Sequence, residues 1–354
     1  MNIFKHITTA YQKQLPFVVY RKPSSERIAG FFQKTDELHL ANDYTEEGFV
    51  FAPFNNTEQS ILIPKKKADY IEETIVVNLE NTSIKSVDTV TKSTLAAQKK
   101  HVDLVHKGIK AIHKNEFKKV VLSRKEIISL SNTDFINIYQ KLLHTYPLAM
   151  VYVWFHPKIG LWLGATPETL LKIKGNTFET MSLAGTQLYK ETLDVTWSQK
   201  EIDEQQFVTD YIIEKLQEKE IPITASPPTT VQAGSLVHLC TKITGTFHFK
   251  NTELINALHP TPAVCGLPKK RAKTFILEQE NYHRSFYTGF LGELNLKTNH
   301  ATIKESDLYV NLRCMQLKNI EAHIFIGGGI TKDSCPEKEW QETVSKANVM
   351  KKVL

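Results

Sequence analysis

The stretch GGGITKDSCPEKEWQETVSK (residues 327–346) determines how the rest of the chain is interpreted. Three consecutive glycines are predicted to form a loop that leads into a helix, leaving backbone N–H groups available to an anion. Glu339, Glu342 and Lys346 are spaced i, i+3 and i+7, so they share one face of that helix. Two carboxylates and an ammonium beside an anion-binding loop favour a metal-assisted site for a carboxylate substrate.

The helix that carries this stripe has further predicted features. Ser334 and Glu337 have the spacing of a capping box, while Trp340, Val344 and Ala347 have the spacing of a buried face. The same arrangement of charges is also typical of a solvated row of salt bridges, which is the commoner outcome. The triple glycine and the anchoring tryptophan shift the balance towards a functional site.

The composition indicates a globular protein of substantial size. The chain has 354 residues, of which 41% are hydrophobic and 23% are charged, so it can form a large core and is not disordered. The net charge is +6, but no arginine-rich stripe is present. This charge suits an acidic small molecule and argues against a nucleic-acid-binding protein.

The four cysteines form no CxxC pair and no zinc-like cluster with histidines, which favours ordinary thiols in a reducing compartment. The N-terminus lacks the apolar core of a signal peptide. No apolar run approaches the ~20 residues that span a bilayer. We therefore expect a cytoplasmic protein without a membrane segment.

The order of predicted elements favours a mixed, antiparallel-rich α+β fold and excludes a regular Rossmann alternation. Strands are predicted within residues 16–63, a polar connection over 64–95, and a meander over 148–186 with a hairpin turn at Gly175-Asn176. Helical periodicity predicts helices over 95–114, 133–144, 201–219, 252–258 and 270–282, before the last helix.

Glu204 lies one turn before Val208, on the apolar face of the helix predicted over 201–219. A carboxylate is rarely buried unless it is paired or binds a cation. The alternative is a glutamate that is favoured near a helix N-terminus by the helix dipole. Together with Glu339 and Glu342, Glu204 offers a plausible carboxylate set for Mg²⁺.

Other polar residues have both a functional and an ordinary interpretation. Arg313 stands in the predicted strand YVNLRCMQL, which is otherwise largely apolar, so a bidentate carboxylate partner or an exposed sheet edge would explain it. Gly185 and Thr186 could offer a backbone N–H and a hydroxyl to a carboxylate, or could form a simple turn. His259 lies in a proline-rich loop, where most histidines are packed and not catalytic.

Eight segments, taken in order, resemble the chorismate-utilising enzymes and most closely the isochorismate synthases. They span about two-thirds of the chain: KVVLSR (119–124), LGATPETLL (163–171), SLAGT (182–186), KEIDEQ (200–205), LHPTPAVCGLP (258–268), ENYHRSFYTGFLGEL (280–294), LRCMQL (312–317) and GGGITKDSCPEKEWQETVSK (327–346).

This resemblance implies a single large α+β domain of stacked, mainly antiparallel β-sheets flanked by helices. Residues 1–95 would form an N-terminal strand-rich part of the same fold, and residues 96–354 the chorismate-binding catalytic region.

The resemblance also implies an activity and the residues that perform it. Chorismate would be converted to isochorismate by attack of water at C2 and loss of the C4 hydroxyl. Lys119 matches the general base that activates water, and Glu168 matches the general acid. His259 matches a histidine near the leaving hydroxyl. None of these three would be singled out by composition or periodicity.

The remaining matches concern binding. Glu204 and Glu342 match the carboxylates that bind Mg²⁺, with Glu339 nearby. Arg313 and the three glycines match residues that bind the enolpyruvyl carboxylate. Gly185, Thr186 and Lys346 would hold the ring carboxylate together with the metal. The substrate-binding set is therefore Gly185, Thr186, Arg313, Gly327, Gly328, Gly329 and Lys346.

Two positions favour water over ammonia as the nucleophile. Anthranilate synthases usually lack a lysine where Lys119 stands, and aminodeoxychorismate synthases carry a lysine where this chain has Ala184. No glutamine amidotransferase segment is present, so no such partner is expected, and a monomer is the default. A salicylate synthase, which goes on to eliminate pyruvate, stays open as an alternative. A non-catalytic chorismate-binding subunit is less favoured because the acid, base and metal residues are all retained.

Two departures from the resembled pattern accompany these matches. Gln205 follows Glu204 where many relatives have histidine, and Ser285 replaces the glycine of an RGxYxG segment. We expect the first to tune the site. The second leaves the local backbone conformation undecided, because only glycine adopts positive φ at no steric cost.

Overall fold

The computed structural model describes residues 2–74, 94–233, 236–297 and 303–354, so most of the predicted polar connection over 64–95 lies outside the described residues. The helices are α1 (Ile3–Gln12), α2 (Leu95–His113), α3 (Phe135–Thr145), α4 (Gln199–Gln217), α5 (Asn251–Leu258), α6 (Lys269–Gln279) and α7 (Pro336–Lys351).

The strands, in chain order, are β1 (Phe17–Arg21), β2 (Arg27–Gln33), β3 (His39–Ala41), β4 (Gly48–Ala52), β5 (Ser60–Pro64), β6 (Ala68–Thr74), β7 (Lys119–Ser129), β8 (Met150–His156), β9 (Gly160–Thr166), β10 (Thr169–Lys174), β11 (Thr177–Leu188), β12 (Ile223–Ala225), β13 (Thr229–Ala233), β14 (Leu236–Thr246), β15 (Gly266–Leu267), β16 (Phe290–Lys297), β17 (Lys304–Val310), β18 (Cys314–Lys318) and β19 (Glu321–Ile330).

These strands form two large antiparallel sheets. One has nine strands in the order β15-β7-β19-β18-β9-β8-β1-β2-β6. The other has ten among the described residues: nine follow the order β12-β14-β11-β10-β17-β16-β4-β5-β3, and the tenth, β13, pairs with β14. Strands from the first 74 residues contribute to both sheets, so the N-terminal part is built into the same domain. The predicted α+β fold of stacked antiparallel sheets is confirmed.

The sheets pack face to face through a core of large aromatic side chains. Phe51 of β4 lies 5.0 Å from Trp154 of β8 and 5.9 Å from Trp162 of β9, measured between ring centroids. On the outer faces, α1, α3 and α7 cover the nine-stranded sheet, whereas α4 and α5 cover the ten-stranded sheet. Central strands are therefore covered on both sides, which explains why β1 and β8 consist entirely of buried residues without polar alternation.

The predicted helices are all found, with bounds that differ by at most a few residues. In α4, the predicted inward residues Val208, Ile212 and Leu216 are buried. Helix α1 was not predicted. Its N-terminus is capped by the Asn2 side chain, and it buries Ile3 and other residues at helical spacing. Among the described residues, no helix is long and apolar enough to cross a membrane.

Two predictions about the stretch 327–346 were wrong. The three glycines are not a loop, because they belong to β19 and pair with Val121, Leu122 and Ser123 of β7. The capping box is absent as well. Helix α7 begins at Pro336 after Cys335, and the Ser334 hydroxyl accepts a hydrogen bond from the Thr331 N–H instead. Long-range strand pairing thus takes the glycines away from the helix N-terminus.

Two further expectations need correction. The meander predicted over 148–186 is divided, because β8 and β9 pair in one sheet while β10 and β11 pair in the other. The predicted hairpin turn at Gly175-Asn176 does join β10 to β11. Arg313 is not inside a strand but in the connection between β17 and β18, where the chain passes from one sheet to the other.

Ser285 adopts the left-handed conformation, with a φ of 52°. Glycine reaches this region without steric cost, whereas a residue with Cβ is less favoured there. The backbone at this position is therefore the one that a glycine would be expected to take.

Candidate active site

A cavity of about 280 Å³ lies between strands of both sheets and helices α4 and α7. It is lined by residues of β7 and β19 from the nine-stranded sheet and of β11 and β14 from the ten-stranded sheet. Every site residue predicted from the sequence lines this cavity, except His259. The two-sheet architecture thus brings together side chains that are more than 200 residues apart in the chain.

Lys119 opens β7, and its side chain is almost completely buried. Its Nζ lies 2.8 Å from Oε1 of Glu204, which projects from the first half of α4. The neighbouring Gly329 of β19 makes this contact possible, since a Cβ there would lie 2.7 Å from Glu204 Oε1 and 3.1 Å from Lys119 Cε. A side chain at position 329 would therefore displace at least one member of this ion pair.

Helix α7 supplies the second group of charges. Glu342 Oε1 lies 2.5 Å from Lys346 Nζ, one turn later, and Lys346 also donates to the Gly327 carbonyl at 3.2 Å. Glu339 is buried on the same face. A Cβ on Gly328 would be 3.5 Å from a carboxylate oxygen of Glu342 and 3.6 Å from one of Glu339. Both carboxylates of α7 thus face the glycine segment of β19.

Glu168 lies in the short connection between β9 and β10, and it is only 3% exposed. Burial raises its pKa to about 8, and the opposing influence of the Arg313 and Lys119 charges does not cancel this effect. Its carboxyl group makes no hydrogen bond or ion pair with any residue that the structure describes. Glu168 is therefore protonated at neutral pH and can donate a proton into the cavity.

Arg313 presents a guanidinium to the cavity without a protein partner. Within the described ranges, its side chain makes no hydrogen bond and no ion pair. Burial lowers the pKa of this arginine, although Tyr287, Glu342 and Glu168 oppose that shift. A largely buried guanidinium usually has a carboxylate or phosphate partner. Its fork of donors is thus available to an anionic ligand.

The structure also identifies a cavity residue that the sequence interpretation missed. His238 of β14 is buried, and its Nδ1 donates to the Gly185 carbonyl at 2.7 Å. Its Nε2 has no hydrogen-bond partner among the described atoms. Burial and the Arg313 charge lower the pKa of His238 to about 4, so the ring is neutral and Nε2 is an acceptor. A histidine within the apolar run LVHLC at the start of this strand was the signal that could have identified it.

His259 has a different environment. Its ring is buried outside the cavity lining, Nε2 donates to the Pro53 carbonyl at 3.0 Å, and the ring packs against Phe290. Burial lowers the pKa of His259 to about 3, so this histidine is neutral. These contacts are those of a packed loop residue.

The carboxylates have the chemistry of a site for a hard divalent cation, which prefers oxygen ligands. In the described part of the chain, no group of three or more His, Cys, Asp or Glu residues is gathered closely enough to hold an ion. Two of the three candidate carboxylates are paired with lysines instead, Glu204 with Lys119 and Glu342 with Lys346. By their chemistry the three carboxylates suit such a cation, which would have to draw them closer together and replace the ammonium contacts.

Comparison with known proteins identifies relatives of this chain. Isochorismate synthase EntC from Escherichia coli (strain K12) is 26% identical over 344 residues, which cover 93% of this chain and 85% of that protein. Anthranilate synthase component 1 from Lactococcus lactis subsp. lactis (strain IL1403) is 29% identical over 265 residues, covering 70% of this chain and 56% of that protein.

A solved structure, MenF, the menaquinone-specific isochorismate synthase from Escherichia coli, superposes with a TM-score of 0.77 at 21% identity. The match covers 96% of this chain and 88% of that one. The sequence profile of the chorismate binding enzymes matches residues 50–354, which is most of the chain. The protein therefore belongs to the chorismate binding enzyme family.

Proposed function

We propose that this chain is an isochorismate synthase, which converts chorismate to isochorismate. The observation that carries the proposal is the presence of two buried proton-transfer groups, Lys119 and Glu168, on the wall of one cavity. The similarity to proteins named isochorismate synthase supports it. The cavity volume of about 280 Å³ is close to the lower end of small-molecule sites, which begin near ~300 Å³.

Chorismate carries two carboxylates, and the cavity is lined by cationic and hydrogen-bonding groups that could bind both. We assign the Arg313 guanidinium and the Gly327 to Gly329 segment to the enolpyruvyl carboxylate. Thr186 and Lys346 also line the cavity, and we assign them to the ring carboxylate. Holding the substrate at both ends would fix the ring between the base and the acid, which is the main entropic contribution to such a reaction.

The proposed reaction needs one base and one acid. Lys119 must first lose the ammonium proton with which it contacts Glu204, and it then accepts a proton from water as the oxygen bonds to C2. The ring double bonds shift, the C4–O bond breaks, and Glu168 gives its proton to the departing hydroxyl, which leaves as water. One water enters and one leaves, so substrate and product are isomers. The unpartnered Nε2 of His238 can accept a hydrogen bond from a substrate hydroxyl or from the attacking water.

We further propose that Mg²⁺ is the cofactor. Glu204, Glu342 and Glu339 would hold it, because they supply three carboxylates around consecutive glycines of β19. When bound, the cation would neutralise the ring carboxylate and stabilise charge that develops in the conjugated ring.

The rest of the proposal concerns assembly and location. The proposed base, acid and binding residues of one chain line one cavity, so we include in the proposal a monomer that needs no amidotransferase subunit. A monomeric mass in light scattering, at the concentration used for activity assays, would test this. A cytoplasmic location is part of the same proposal, because the three buried cysteines are unpaired thiols.

The decisive experiment is the identification of the product. Purified protein is incubated with chorismate and Mg²⁺, and the products are separated chromatographically and assigned by proton NMR, since isochorismate has the mass of chorismate. Isochorismate is expected, and Lys119→Ala should abolish its formation while retaining the circular dichroism spectrum.

The same experiment distinguishes the alternatives. Salicylate, recognised by its fluorescence, would instead indicate a salicylate synthase. Anthranilate formed with ammonia would select an anthranilate synthase, and tight chorismate binding without turnover a binding subunit.

A further inference from the structure

A fully buried ion pair, Arg284 with Glu280, lies behind the wall of the cavity. The two side chains are 2% and 1% exposed, and they are joined by two hydrogen bonds, from Nε to Oε2 at 2.7 Å and from Nη2 to Oε1 at 2.6 Å. Neither residue lines the cavity. The pair therefore does not contact the substrate, and its role must be sought in what else it binds.

The remaining donors of Arg284 all reach residues of the cavity wall. Nη1 donates to the Val264 carbonyl at 3.0 Å and to Thr288 Oγ1 at 3.2 Å, and Nη2 donates to the Val121 carbonyl at 2.7 Å. All three acceptor residues line the cavity. The five N–H groups of the guanidinium are thus used completely, two on Glu280 and three on the wall.

These contacts join three segments that are distant in the sequence. Val121 belongs to β7, two residues after Lys119, while Val264 lies in the loop before β15. Thr288 lies in the turn before β16, next to the wall residue Tyr287. Glu280 extends the network, because its Oε1 accepts hydrogen bonds from both the N–H and the hydroxyl of Ser123 in β7, each at 2.8 Å.

Stability alone is a weak explanation for such a pair. Burying two charges has a large desolvation cost, and replacing a buried ion pair by apolar residues of similar volume is often neutral or stabilising. Apolar residues cannot donate the three hydrogen bonds that Arg284 makes to the wall, two to carbonyl groups and one to a hydroxyl. A lysine cannot supply this set of bonds either, since its three donors radiate from one atom and lack the planar fork of arginine.

We infer that Glu280 and Arg284 are a positioning pair, which holds β7 with its general base, the Val264 loop and the Thr288 turn in register around the substrate. The inference rests on the proposed function only for the choice of substrate. Displacing a reacting group by about 1 Å can reduce turnover by roughly 100-fold, so loss of the pair should act on kcat more than on KM.

The test compares the double variant Glu280→Leu with Arg284→Met against the wild type, by thermal unfolding and by chorismate consumption with Mg²⁺. We expect a cooperative unfolding transition near that of the wild type and a kcat reduced about 10- to 100-fold, with a smaller change in KM. A stable double variant with a kcat within about threefold of the wild type would overturn the inference.

A second variant decides the matter if the double variant does not fold. Arg284→Lys keeps the charge opposite Glu280 but removes donors from the wall, so kcat should again fall about 10-fold or more. Arg21→Lys is the matched control. Arg21 is also buried and donates to the carbonyls of Leu143 and Tyr146, none of which lines the cavity, so this change should leave kcat unaltered. Equal kcat values for the two lysine variants would contradict the positioning role.

The assay separates this inference from the proposed function. Chorismate consumption reports turnover whichever product is formed. If the wild type yields a product other than isochorismate, the proposed function fails while the comparison of kcat values still stands. If the wild type consumes no chorismate, crystal structures of Arg284→Lys and the wild type are compared, and unchanged distances from Lys119 to Val264 and Thr288 would overturn the inference.

Discussion

At the scale of single residues, the site contains buried titratable groups, of which some contact a group of opposite charge and others do not. Glu168 has no partner among the described residues and stays protonated, whereas Lys119 and Lys346 each contact a carboxylate. Groups with shifted protonation cluster at functional sites because catalysis needs specific proton donors and acceptors. The protonation of Glu168 and the lysine contacts are therefore the features that single substitutions test best.

Activity should depend on the protonated form of Glu168. Since its pKa is about 8 in the unliganded site, kcat/KM for chorismate should be constant below that pH and fall about tenfold per unit above it, as far as this group determines it. Glu168→Gln cannot donate a proton and should lower kcat by roughly 10² to 10⁴. A pH-rate profile of the wild type without a limb near pH 8, or a fully active glutamine variant, would contradict the assignment.

The same substitution has an expected effect on stability. The carboxyl of Glu168 titrates near 4.5 when unfolded and near 8 when folded, so the folded wild type loses stability as the pH rises through this window. The neutral amide of Glu168→Gln does not titrate. The variant should therefore gain stability relative to the wild type between pH 5 and 9, measured as the difference in urea unfolding free energy. This result would also show that lost activity does not arise from misfolding.

Lys346→Met should strengthen Mg²⁺ binding in the absence of substrate. The lysine contacts Glu342 at 2.5 Å, and its removal leaves a carboxylate that a cation can bind without displacing an ammonium. We expect the dissociation constant for Mg²⁺ to fall several-fold in calorimetry, with chorismate turnover reduced. Lys352→Met, at an exposed position after α7, is the control for the change in net charge. Weaker Mg²⁺ binding in Lys346→Met would argue against the proposed ligand set.

At the scale of elements, β19 is the framework on which the charged groups meet. Its glycine segment pairs with β7, which carries Lys119, and it faces α4 on one side and α7 on the other. At position 329 glycine leaves room for the side chains of Glu204 and Lys119, whereas at position 328 a Cβ would make only ordinary van der Waals contacts. The two central positions differ in how much space they leave, so they can be tested against each other.

Gly329→Ala should impair the site far more than Gly328→Ala. An added Cβ at position 329 would lie 2.7 Å from Glu204 Oε1 and 3.1 Å from Lys119 Cε, whereas at position 328 its nearest neighbours lie at 3.5 and 3.6 Å. Displacing the base and a metal carboxylate should reduce kcat/KM by about 100-fold in the first variant and by much less in the second. Both variants should be compared in thermal unfolding. Equal losses of activity would show that the contact between Glu204 and Lys119 is not what requires glycine.

At the scale of the whole molecule, packing of the helices and loops against the two sheets buries titratable groups away from water. Burial lowers the pKa of three histidines: His101 of α2 to about 4, His238 of β14 to about 4 and His259, just after α5, to about 3. Each favours the folded state fully above pH 6.5 and loses this contribution as the pH falls below it. Glu168 acts in the opposite direction between about 8 and 4.5.

Between about pH 4.5 and 8, these four groups predict maximal stability near pH 6.5. Below that pH the three histidines outweigh Glu168, so the unfolding free energy should fall by roughly 1 to 3 kcal/mol for each pH unit down to about 4.5. Urea unfolding across the pH range measures this dependence. His101→Gln should flatten the acid limb, whereas His106→Gln, on the exposed face of α2, should not. A curve that rises continuously towards acid pH would contradict the burial of these neutral histidines.

Local patterns in the sequence determined much of this protein. Helical spacing located α2 to α7. The resemblance of eight ordered segments to a known family predicted the fold and the twelve site residues that line the cavity. Helix periodicity depends on residues three and four apart, and a family motif preserves a local role, so both can be recognised without coordinates.

Only the tertiary structure decided which of these residues meet, and in which state. It placed the three glycines in a strand, Arg313 in a passage between sheets, His238 at the cavity and His259 outside it. It also revealed the lysine contacts of Glu204 and Glu342 and the buried pair behind the wall. Strand pairing, burial and charge pairing join residues that are distant in the chain, so no local pattern contains them.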